Sequence, residues 1–243
     1  MLRDATEPLS DLSCPPDVHP GVDAGKIRSP SPELWGRAGV NERGERQGEH
    51  VELSFGVDGH LHPGRYQVDL DGARDFLVSA SIFEHSTTRP TLWEGLERYL
   101  VRFWSLEERY TDHLGSLSLV DRLWLGGSFV SNKLDPANID ATVFVDHEAE
   151  AAVRNREGAR WLTDAFQREA VKSEFGLSPI RVRYIRVPSP FKTKELTQVD
   201  KQYYGDRGAW DDWWQRRRAS DHVKDGPTVE TATARRGYLE VTL

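Results

Sequence analysis

Two short patterns in this chain carry residues able to do chemistry. Gly126-Gly127-Ser128 follows the apolar run Leu123-Trp124-Leu125, and Asn138-Ile139-Asp140 opens a second apolar run downstream. Glycines let a backbone come close to a polyphosphate and adopt conformations that other residues avoid. Backbone N–H groups at a helix start favour an anion, and Ser128 adds a hydroxyl donor. Lys133 follows closely and can neutralise phosphate charge. Asn138 and Asp140 flank Ile139, so on a strand their oxygen-bearing side chains share one face. Taken alone, Gly-Gly-Ser is more often a plain turn.

The elements that position these residues follow from periodicity. Leu119–Leu125 and Ile139–Val145 predict strands, with Gly126–Ser131 a turn and helix start between them. Upstream, Val51–Phe55 alternates as a short strand, and Gly59, Pro63 and Gly64 mark turns. A short helix and loop are expected over 69–83. Thr91–Tyr110 gives the strongest helical pattern, with Leu92, Leu96, Tyr99, Leu100 and Phe103 on one face. Thr91 and Glu94 have capping-box spacing. Ala149–Phe175 predicts one long helix. Ile180–Val187 alternates as a strand, with Ile180, Val182 and Tyr184 on one face and Arg181 and Arg183 on the other. Trp210–Ala219 predicts an amphipathic helix and Gly237–Leu243 a terminal strand.

Composition bounds the function classes. The 243 residues suit one domain with an extension, and charged residues make up 29%. Residues 1–50 are rich in Pro, Gly and mixed charge and poor in periodic apolar residues, which predicts a disordered tail. The ordered domain is expected over 51–243. A net charge of −7 argues against a generally basic nucleic-acid binder. The last third is nevertheless locally basic, with Trp210, Trp213 and Trp214 beside Arg216-Arg217-Arg218. Interleaved aspartates favour a solvated helix face with core tryptophans over a nucleic-acid surface. The single cysteine, Cys14, excludes an internal disulfide and suits the cytoplasm. No apolar run is long enough to span a membrane, and the histidines form no metal set.

The order of motifs Asp58-Gly-His-Leu-His-Pro-Gly-Arg-Tyr66, Trp93-Glu-Gly-Leu96, Trp124-Leu-Gly-Gly-Ser-Phe-Val130, Lys133 and Asp135-Pro-Ala-Asn-Ile-Asp140 resembles polymerase-beta-like nucleotidyltransferases. It is most similar to a group of small bacterial and phage proteins with a Gly-Ser-Phe-Val-x-x-Lys site. The resemblance implies an α/β (α+β) nucleotidyltransferase-like mixed sheet with helices mainly on one face. It implies a nucleoside triphosphate cradled by Gly126, Gly127 and Ser128, with Lys133 on phosphate. It also implies Mg²⁺ on a pair of strand carboxylates, and transfer of a nucleoside monophosphate to a hydroxyl of a protein, RNA or small molecule. Here Asp140 would be the surviving ligand and Asn138 a weak second one. The third carboxylate position aligns with Arg183, which can meet phosphate oxygens but cannot act as a base. Asp135 and Asp146 are the nearby carboxylates that could compensate. The alternative implied by these departures is a catalytically degenerate fold that binds a nucleotide or a partner.

Overall fold

The computed structural model describes residues 53–217 and 228–243. The expected tail, Cys14 and Arg218 lie outside the described residues. The described chain forms a mixed five-stranded sheet flanked by helices. In chain order the elements are β1 (Gly64–Asp69), α1 (Leu70–Arg74), α2 (Arg89–Arg109), α3 (Thr111–Leu114), β2 (Val120–Gly126), β3 (Ile139–Asp146) and α4 (His147–Val153). Next come α5 (Trp161–Asp164), α6 (Arg168–Phe175), β4 (Leu177–Tyr184), α7 (Gln198–Gln215) and β5 (Gly237–Thr242). The strand order is β1-β5-β2-β3-β4. The pairs β1–β5 and β3–β4 are parallel, whereas β2 runs antiparallel to both β3 and β5.

Strand alternation sorts the side chains to two faces. Leu123, Leu125, Val143, Val145, Leu239 and Val241 enter the larger core, which α2 fills with Leu92, Trp93, Leu96, Tyr99, Leu100 and Phe103. Trp124, Phe144, Val182 and Tyr238 point to the other face, where α7 covers them with Tyr203 and Trp214. Among the described residues the helices therefore lie mainly on one face, with α7 covering the opposite one. Trp214 Nε1 donates to Thr142 Oγ1 at 2.9 Å, which fixes α7 over β3. Of the three tryptophans in α7, Trp214 is buried, Trp210 packs at its edge and Trp213 stays 41% exposed. The reading of a core-directed helix face therefore holds for two of the three. No helix among the described residues is long and apolar enough to cross a membrane.

Several local expectations change. The stretch 53–61 makes only isolated bridges, Phe55 to Leu61 and His60 to Ser131, while the first strand begins at Gly64, where only turns were expected. The strongest helix starts at Arg89 and its N-cap is Thr88, so Thr91 lies inside the first turn and caps nothing. Pro90 suits that first turn because its missing N–H is not needed there. Between the end of β2 at Gly126 and Ser131, residues 127–130 form a turn without a helix. The expected long helix over 149–175 breaks into α4, α5 and α6. Asn155 and Gly158 take φ of 66° and 80° between α4 and α5, a conformation no helix contains. Helix α7 starts twelve residues before its expected start, at Gln198, with Thr197 and Asp200 forming a reciprocal cap.

Gly95 sits where α2 crosses the end of α6. A Cβ there would stand 2.0 Å from the Phe175 carbonyl oxygen, a backbone atom that cannot swing away. Gly95→Ala is therefore expected to destabilise by about 1–3 kcal/mol through overpacking, despite alanine's better helix propensity. Urea denaturation measures it, and a more stable variant would mean that the helices can separate at no cost.

Candidate functional site

The residues expected to do chemistry meet at one end of the sheet. Gly126 ends β2 and stands opposite Asp140 on β3, which in turn stands opposite Ser178 on β4. Asp140 thus has a strand on each side, and its side chain points to the α7 face. Gly127 follows with φ 70°, and a Cβ on it would lie 2.4 Å from Asp140 Oδ2. Glycine is required there twice, for the left-handed backbone and for the approach of the carboxylate. A Cβ on Gly126 would run into the Trp214 ring at 2.3 Å.

Asn138 does not act beside Asp140 as a second carboxylate would. Its Nδ2 donates to Asp140 Oδ1 at 2.9 Å and to Ser178 Oγ at 3.2 Å. An aspartate in its place would set two like charges against each other unless a cation separated them. The amide removes that requirement. Burial pushes the Asp140 carboxyl above its usual range, while the Asn138 hydrogen bond and the cations of Arg168, Lys172 and Arg236 pull it back. Arg168 and Lys172 are exposed on α6 and form no salt bridge among the described residues. Arg236 precedes β5, and its Nε donates to the Trp214 carbonyl at 3.0 Å.

The remaining expected residues divide. Ser128 adjoins the turn, and its carbonyl accepts from Ser131 Oγ at 2.7 Å. Lys133 is exposed, and the tie at this position is its carbonyl rather than its ammonium. Arg183 leaves the site. It pairs with Val145 and so points to the larger core's side of the sheet, opposite to Asp140. It also lies about 16 Å along β4 from Ser178. The residue across from Asp140 on β4 is Ser178, so no carboxylate stands at the third position. Asp135 accepts from Thr87 N at 2.7 Å, from Thr88 N at 3.2 Å and from both hydroxyls of Ser86 and Thr87. Asp146 caps α4 through Ala149 N at 2.8 Å and meets Arg186 at 2.7 Å. Neither supplies the missing carboxylate.

The residue that periodicity could not reveal is Arg89. It is fully buried, and its guanidinium donates to the carbonyls of Leu77, Phe129, Ser131, Lys133 and Leu134. It also stacks 3.6 Å from the Phe83 ring centroid. Burial lowers its pKa to about 10, with Asp135 acting in the opposite direction, so it remains a cation at neutral pH. Arg89 thereby holds the loop from Phe129 to Leu134 that follows the Gly127-Ser128 turn. The only sequence signal is an Arg-Pro pair at the start of a strongly periodic helix.

A model described as a family of unknown function, DUF6932, matches residues 53–242. No curated protein and no solved structure matches the chain.

Two outcomes follow from this geometry. Arg89→Met strips the donors from five carbonyls, of which those of Leu77, Phe129 and Ser131 are buried, and is expected to cost at least about 3 kcal/mol in chemical denaturation. A loss within experimental error would mean that water replaces the guanidinium. For Asp140, the folded state binds its proton more tightly than the unfolded chain does. Stability therefore falls as pH rises from 3.8 through the folded pKa. Asp140→Asn is expected to raise Tm at neutral pH, with the gain vanishing in acid. A lower Tm at neutral pH would show that the charged carboxylate is favourably held.

Proposed function

The chain belongs to the DUF6932 family, whose function is unknown, and from its site we propose a nucleotide-binding module on a nucleotidyltransferase-like fold that has lost transfer chemistry. The observation that carries this reading is the Asn138–Asp140 hydrogen bond. It satisfies the one carboxylate of the site with a neutral donor where the catalytic pattern needs a second carboxylate and a metal. A magnesium pair does not suit this donor set. Asp140 brings one charge, Asn138 and Ser178 bring neutral oxygens, and three cations already act on the carboxylate. Among the described residues no group of three or more His, Cys, Asp and Glu could hold a metal ion.

The same cations suit a polyphosphate directly. Arg168 and Lys172 lie on the exposed face of α6, Arg236 is held by Trp214, and Gly127 adds no side chain of its own beside the carboxylate. Arginine forks match phosphate oxygens, and lysine adds a mobile charge. With one partly buried carboxylate of raised pKa and a donor set that does not suit a metal pair, the site lacks the means to activate a hydroxyl and stabilise pyrophosphate together. The bound triphosphate would then serve as a signal or a structural ligand, in the cytoplasm, which the single cysteine suits.

Calorimetric titration with ATP, GTP, CTP and UTP tests this, each in magnesium and in chelator. Binding is expected in chelator, weakened at least tenfold by Arg168→Ala with Lys172→Ala and tightened by Asp140→Asn. Binding that appears only with magnesium and is abolished by Asp140→Ala would restore the transferase reading. No binding of any nucleotide would remove both.

A further inference from the structure

A second surface lies along α7, from Tyr203 to Gln215, and has no part in the Asp140 site. Two open depressions flank this helix, and Tyr204 and Arg207 border both. The first, about 390 Å³, opens toward β4 and is walled by Arg122, Tyr184 and Arg186. The second, about 540 Å³, opens toward the edge strand β1 and is walled by Arg65, Gly208 and Asp211. Each is large enough for a nucleotide-sized ligand.

Three features of this surface point to a ligand. The first is a row of rings. Tyr184 and Tyr203 stand 5.8 Å apart and Tyr203 and Tyr204 5.4 Å, so the buried Tyr203 links the partly exposed rings of Tyr184 and Tyr204. The second is charge. Four arginines line the two depressions against the single carboxylate of Asp211. Arg65 and Arg122 reach Glu240, Arg122 also reaches Asp121, and Arg186 reaches Asp146 and Glu148, whereas Arg207 has no carboxylate partner among the described residues. Arg207 is therefore the cation of this surface left for an anionic ligand. The third is an unexplained pair of glycines. Gly205 and Gly208 lie inside an eighteen-residue helix, where glycine is a poor helix former. A Cβ on either would meet nothing within 4 Å, so neither is required by packing or by φ. Bare backbone beside Tyr204 and Arg207 keeps the groove open.

We propose that this groove binds single-stranded nucleic acid, with bases against Tyr184 and Tyr204 and the backbone phosphate between them on Arg207. Two adjacent depressions sharing one ring and one cation match successive nucleotides of a strand better than a single small ligand. Stacking on tyrosine tolerates any base, so binding depends on strand state more than on sequence. A duplex keeps its bases stacked internally and cannot present them to the rings.

Fluorescence anisotropy of the full chain with labelled oligouridylate and oligodeoxythymidylate of about twelve nucleotides tests the proposal. Binding is expected to weaken as salt is raised from about 50 to 200 mM. Arg207→Ala and Tyr204→Ala are each expected to weaken it at least fivefold. Gly208→Leu fills the groove with a good helix former, so Tm is expected to hold or rise while binding is lost. That opposite movement separates a binding role from a structural one. The proposal is overturned by no binding to either strand, by a duplex binding equally well, or by free UMP competing as well as the oligomer. Binding that survives both Arg207→Ala and Gly208→Leu would also overturn it, because the strand would then sit elsewhere.

Discussion

The order of this molecule around its candidate site depends on one buried charge. Arg89 is a guanidinium removed from water with no carboxylate in hydrogen-bond contact, an arrangement that is costly unless its donors are all met. Five backbone carbonyls meet them, one from the turn after α1 and four from the loop between β2 and β3. The loop returns the interaction. Its Asp135 accepts from Thr87 N and Thr88 N and so neutralises the exposed N–H groups in front of α2. Helix and loop thus complete each other's hydrogen bonds. The Gly127-Ser128 turn has a fixed position because the chain after it is tied to α2, which is itself anchored in the larger core.

The sheet then separates two tasks. One face builds the core with α2 and α6. The other carries Asp140, Thr142 and Trp124 beneath α7, and polar groups there are paired closely: Trp124 Nε1 donates to Glu240 at 2.8 Å, as Trp214 does to Thr142. Placing Asp140 at the end of this second face gives it partial burial and a raised pKa without sealing it from ligand. Asn138 belongs to the same economy of charge. A neutral amide beside a half-buried carboxylate is a stable arrangement by itself, whereas two carboxylates would wait for a cation.

Helix α7 links the candidate site to the groove. Its C-terminal end seats Trp214 over Gly126, and its N-terminal half carries Tyr203, Tyr204 and Arg207. The basic and aromatic character visible in the last third of the chain is therefore real but divided. Trp214 and Tyr203 pack in the smaller core, and Tyr204 and Arg207, with arginines from β1, β2 and the segment after β4, border the open surface.

What the sequence determined by itself is what repeats locally. Alternation at Leu123–Leu125 and Ile139–Val145, and the helical period from Leu92 to Phe103, placed the strands and the main helix because each residue's face is set by its neighbours' geometry. The same local rule brought Gly127 and Asp140 together across a short connection. Tertiary structure alone decided the rest. Pairing of β1 with β5 joins segments far apart in the chain, and no periodicity records a partner at that distance. Arg183 aligned with the site as a strand residue, but register with Val145 turns it to the other face, since a shift of one residue reverses every side chain. In sequence Arg89 carries no signal beyond the proline after it, and Asp135 reads as a carboxylate that could serve the site. Their roles exist only once a distant loop presents carbonyls to one and N–H groups to the other, because burying a charge is decided by the partners that folding supplies.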